Sequence, residues 1–101
     1  MRISVRLQKK LVEYKNGIDY ALWYFFVKNK LSVNLNKLEK ISKQKLSNGV
    51  NIKFCNKHSE LYLNELVKEH KKTKSEIIRF CLFWLMDTLG KDKYPVNFKE
   101  K

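Results

Sequence analysis

One hundred and one residues with 44% hydrophobic and 13% aromatic side chains describe one small domain, or two very small units sharing a core, and exclude a disordered tail. Twenty-two Lys and Arg against ten Asp and Glu leave a net charge of +12, an excess that costs self-repulsion and suits a polyanionic partner. Nucleic acid is the first such partner and an anionic membrane surface the second, with solubility alone as the plain alternative.

The excess is uneven: residues 1–49 hold 11 basic and 3 acidic side chains, and residues 50–101 hold 11 and 7. The most apolar windows, Tyr20–Val27 and Ile77–Leu89, fall short of the about 20 residues needed to span a bilayer. Cys55 and Cys81 have no metal or redox spacing and read as reduced packing residues. The start of the chain reads as a strand and not as a signal peptide, so the protein is expected to be intracellular, in the host cytoplasm if viral.

The first element is MRISVRL, where Arg2, Ser4 and Arg6 alternate with Ile3, Val5 and Leu7. Period-two alternation predicts a half-buried strand with a polar, cationic face. QKKLVEYK follows and supplies Leu11, Val12 and Tyr14 in barely two turns of helix. Asn16 then stands as an N-cap with Asp19 three residues on, before YALWYFFVKNKL, which is apolar nearly all round. In the linker, Leu35, Leu38, Ile41 and Leu46 predict a helix over residues 36–47, with SVNLN as an alternative short strand.

VNIKFC repeats the strand rhythm, with Val50, Ile52 and Phe54 against Asn51, Lys53 and Cys55. Leu63, Leu66 and Val67 place a helix over residues 59–70, capped by Ser59 or by Asn56. Thr73 with Glu76 forms a capping box for a second helix over residues 74–89. Ile77, Phe80, Cys81 and Trp84 form one apolar face of it, and Ile78, Leu82, Leu85 and Leu89 widen that face. Gly90 suits the stop position, and the tail KDKYPVNFKEK is expected to be loose.

Laid on each other, Asn16/Thr73, Asp19/Glu76, Tyr20/Ile77, Trp23/Phe80 and Phe26/Phe83 coincide, so the order strand, helix, helix occurs twice. The units are residues 1–31, with a shortened first helix, and residues 50–90. Residues 32–49 link them and residues 91–101 form the tail.

This order, with ISVRL-like strands and a small polar cap before the last helix, resembles the Arc/MetJ-type ribbon-helix-helix family of DNA-binding regulators. VNIKFC, SELYLNELVKEH and KKTKSEIIRFCLFWLMDTL carry the resemblance over residues 50–90, and MRISVRL carries it in the first unit. The resemblance implies a mainly α fold with a short antiparallel β-ribbon, the tandem units sharing one helical core. It implies a sequence-specific double-stranded DNA-binding transcriptional regulator, a repressor by expectation, whose ribbon enters the major groove. Base readout would fall to Arg2, Ser4, Arg6, Asn51, Lys53 and Cys55. A phosphate would sit at Thr73, Lys74 and Ser75, with Asn16 and Gly17 as the counterpart. The ribbon forms within one chain or between two identical chains, and self-association as a homodimer or as an oligomer on DNA is expected.

Plainer readings stand beside these. Strand lysines often guard exposed edges, and Thr73 and Asn16 are caps whatever else they do. The helical spacing of Trp23, Tyr24, Phe25, Phe83 and Trp84 favours core packing over stacking on single strands. His58, His70 and the cysteines fit no zinc pattern. No glycine-rich phosphate loop, HExxH or nucleophile–base pair occurs, so no catalytic residue, cofactor, metal or small-molecule substrate is expected. The rival functions are an antitoxin-like protein-interaction module and a non-specific nucleic-acid coating protein.

Overall fold

The alternating segments pair with each other inside one chain. The computed structural model describes residues 2–28, 45–46, 49–91 and 93–101. The linker helix expected over residues 36–47 lies, apart from Lys45 and Leu46, outside the described residues. Strand β1 (Arg2–Arg6) runs antiparallel to β2 (Gly49–Lys53), with Ile3 opposite Ile52 and Val5 opposite Val50. That register puts every apolar strand residue on one face, as a period of two requires. Val5, Leu7, Ile52 and Phe54 close over the core, each stabilising by about 1.5–3 kcal/mol. The described chain is otherwise mainly helical, with this two-stranded antiparallel sheet at one side of the core.

After β1 the chain forms a 3₁₀ helix, Lys9–Gly17, in place of the expected short α-helix. Its buried residues are Leu11, Tyr14 and Gly17. A 3₁₀ helix has three residues per turn, so those positions stack along one line against the core. The 3₁₀ helix runs without a break into α1 (Ile18–Trp23), which widens into a π turn, Tyr24–Lys28. The expected Asn16 cap is therefore corrected. Gly17 holds the cap position, with no side-chain bond, and Asn16 lies inside the 3₁₀ run. Asp19, its expected box partner, is wholly buried and turned away towards the second half of the chain.

Helix α2 (Ser59–His70) spans the expected residues and closes at Lys71 with φ 54°, in the left-handed region. Helix α3 (Lys74–Trp84) starts from Thr73, whose Oγ1 accepts the Glu76 N–H while the Glu76 carboxylate accepts the Thr73 N–H. The residues expected to finish this helix, Leu85–Leu89, form a π turn instead. Its closing bond runs from the Gly90 N–H to the Leu85 carbonyl, 2.8 Å, and Gly90 then takes φ 80°, which glycine adopts without strain.

Burial corrects the alignment of the halves. Ile18, Ala21, Leu22 and Phe25 are buried on α1 and its π turn, and they match Ile78, Cys81, Leu82 and Leu85 in spacing and burial. The cap-based match instead sets partly buried Tyr20 and Trp23 against core Ile77 and Phe80. Core contacts, not caps, fix how α1 and α3 pack on each other.

The tail, expected to be loose, is held at several points. The Tyr94 ring covers Gly17, where a β-carbon would run into that ring and into Leu85. The Asn97 N–H donates to the Asn16 carbonyl at 2.9 Å. Phe98 packs 5.7 Å from Tyr20 and 5.2 Å from Trp23, between ring centroids. Glu100 accepts the Tyr62 hydroxyl at 2.7 Å and the Asn56 side-chain amide at 3.2 Å. Aromatic packing, a carboxylate that finds two donors, and the Glu100 N–H, which donates to the Asn56 Oδ1 at 2.9 Å, supply what the tail's composition did not suggest.

Candidate nucleic-acid interface

The outer face of the ribbon is polar throughout. Its three rungs are Arg2 opposite Lys53, Ser4 opposite Asn51, and Arg6 opposite Gly49. All six residues are exposed. Like charges directly opposite each other destabilise a sheet, so the Arg2–Lys53 rung costs the free protein and an approaching polyanion would offset it. Gly49 leaves room beside Ser4: a β-carbon there would stand 2.7 Å from the Ser4 Oγ.

Cys55 does not join this face. The strand ends at Lys53, and the half-buried Cys55 turns into the loop before α2. Its N–H donates to both Asp19 carboxylate oxygens at 3.1 Å, and its thiol lies 3.5 Å from the Asn97 Oδ1. The Asn56 N–H, at 3.1 Å, and the Ser59 hydroxyl, at 2.6 Å, also donate to Asp19. Ser59 thus serves this junction and not its own helix end.

Arg79, which the sequence reading did not single out, joins the ribbon to α3. Its Nη1 donates to the Arg6 carbonyl at 3.0 Å. Partial burial lowers its proton affinity from the ordinary value; Glu76 opposes this and Arg6 adds to it. A guanidinium stays charged at any pH of interest, so Arg79 extends the ribbon's positive charge towards the start of α3. The helical step from Glu76 to Arg79 was the available signal, since residues three apart share a face.

At that start the expected phosphate residues divide. Thr73 is fully used by its capping box, and the Glu76 carboxyl there is held below its usual range, first by the Thr73 N–H. Lys74 is exposed and Ser75 half-buried, and the first-turn N–H groups of a helix have no acceptor within it. Lys74 and Ser75 stand beside those N–H groups and outside the capping box. At the counterpart the expectation is corrected for Gly17, which is buried under Tyr94; Asn16 is exposed, and its carbonyl accepts the Asn97 N–H.

Beside the end of β1, Lys9, Lys10 and Lys45 line an open cleft of about 590 Å³ with Gln8 and Glu13. Among the described residues no cluster of three or more His, Cys, Asp or Glu side chains is placed to hold a metal. Cys81 is wholly buried, and burial pushes its thiol pKa up. No helix of the described residues is long and apolar enough to cross a membrane. Compared with protein-family models, curated proteins and solved structures, the chain matches none.

Proposed function

We propose that this chain is a double-stranded DNA-binding transcriptional regulator, in the simplest case a repressor, of tandem ribbon-helix-helix type. The observation that carries the proposal is the two-stranded ribbon, whose exposed face holds Arg2, Arg6 and Lys53 around Ser4 and Asn51 and has no acidic residue, on a chain of net charge +12. The major groove is about 12 Å wide and admits such a ribbon. Arg and Lys suit the guanine O6 and N7 edge, Asn suits adenine, and Ser serves either. The matched burial of α1 and α3 beneath the ribbon supports the tandem reading. Lys74, Ser75 and Arg79 are the backbone contacts of the proposal, fixing register while the ribbon reads sequence.

Competition binding tests the proposal. A regulator prefers its site over random duplex by about 10³-fold or more, whereas a coating protein shows little preference. Arg6→Ala should weaken the cognate site by about 1–3 kcal/mol and relax discrimination at one base step. Equal losses on cognate and random duplex would remove Arg6 from readout. Lys74→Ala should weaken all duplexes alike and lower the salt slope by about one; an unchanged slope would take Lys74 out of the phosphate contacts.

A further inference from the structure

The two strands of the ribbon are unlike and belong to one chain. A two-fold axis through the Ser4–Asn51 rung would exchange Arg6 with Lys53, Ser4 with Asn51, and Arg2 with Gly49. The first exchange keeps a cation on each side. The second sets a hydroxyl against a carboxamide. The third sets a guanidinium against no side chain at all. The reading face is therefore nearly symmetric at one pair of positions and polar, in the directional sense, at the other two.

Resting on the DNA-binding reading above, we infer that a single chain is a complete reader of a short, non-palindromic duplex element, and that Arg2 and Asn51 set its direction. Outward residues recur every two positions, about 6.7 Å along a strand at 3.3–3.4 Å per residue. Three rungs then cover about four base-pair steps of about 3.4 Å, or an element of about five base pairs. Arg6 and Lys53 favour guanine on either side of the centre. Asn51 favours adenine at the centre, and Arg2 adds a further guanine on one flank only. The like-charged Arg2–Lys53 rung concentrates the cost to the free protein on that same flank.

The test is selection of bound duplexes from a random pool with the full chain, followed by native mass measurement of the complex. The expected result is one non-palindromic motif with one chain bound per copy of it. Arg2→Gly should cost about 10- to 100-fold in discrimination at one flanking base pair and leave the other flank unchanged. Arg2→Gly combined with Asn51→Ser makes the two strands nearly equivalent and should select a near-palindrome. All these positions are exposed, so the variants keep the core intact. A palindromic wild-type motif, or two chains on each copy, would overturn the inference while leaving the regulator proposal standing. Selection of no motif, with equal affinity for all duplexes, would overturn both. An Arg2→Gly motif identical to wild type would overturn the assignment of direction to Arg2.

Discussion

The ends of the two strands are secured by opposite chemistry. β2 runs into Asp19, a wholly buried carboxylate that accepts from the Cys55 and Asn56 N–H groups and from the Ser59 hydroxyl. β1 ends at Arg79, a half-buried guanidinium that donates to one carbonyl. The two helices carrying these side chains match in burial, and in that match Asp19 falls at the position of Arg79. Each helix thus reaches the strand end of the other half, one with a negative group in the interior and one with a positive group at the surface. The difference follows from what each end leaves unpaired. The loop after β2 has N–H groups to satisfy away from water, and a carboxylate does so with two oxygens. The end of β1 offers a carbonyl near the surface, where an arginine can bond it and still face solvent. A polyanion approaching the ribbon would meet Arg79 and not Asp19.

This contrast can be broken most severely at Asp19. Asp19→Ala leaves one buried and one part-buried N–H group and a buried hydroxyl without their acceptor, and the expected loss in urea unfolding is about 3–5 kcal/mol. A loss below about 1 kcal/mol would mean that the junction re-pairs without the carboxylate. Next comes the tail, which reinforces the same end through Glu100. Tyr62→Phe should cost about 1–2 kcal/mol and change the pH profile. Burial first, then the Glu100 hydrogen bond and charge, push the Tyr62 hydroxyl from 10.0 up to about 12. A raised acid contributes stability that is fully present below the unfolded value near 10 and is lost as pH rises through about 12. Thermal unfolding of wild type should therefore show an added fall over that window that the variant lacks; parallel curves would disprove the coupling. Arg79→Ala should have the smallest effect on folding, about 1 kcal/mol or less, because its single bond is partly exposed to water. Its larger effect is expected on duplex affinity at low salt. A variant that destabilises as much as Asp19→Ala would erase the distinction between the two strand ends.

Several elements were legible from local pattern. Strand alternation named the outward residues Arg2, Ser4, Arg6, Asn51 and Lys53, because a period of two leaves no other arrangement once Val5 and Ile52 are buried. The span Ser59–His70, the Thr73–Glu76 box and the stop at Gly90 were legible for the same reason, since partners lie within four residues. The 3₁₀ run was present as the three-residue spacing of Leu11, Tyr14 and Gly17, but a glycine in that series is silent as a hydrophobic signal. Asn16 and Asp19 misled because an Asn followed by an Asp three residues on fits a cap equally well whether or not the Asp is called elsewhere.

The sequence by itself determined which strand face is cationic, where the second-half helices begin and that the chain turns at Gly90, because those depend on short-range spacing and hydropathy. Only the tertiary structure decided that β1 meets β2 of the same chain, that Asp19 and Arg79 cross to opposite strand ends, and that the tail returns to Tyr62 and Asn56. Those contacts join residues 36 to 73 positions apart. A short polar side chain carries no record of its partner in its neighbours, and its partner is whichever unpaired group the packed core brings within reach.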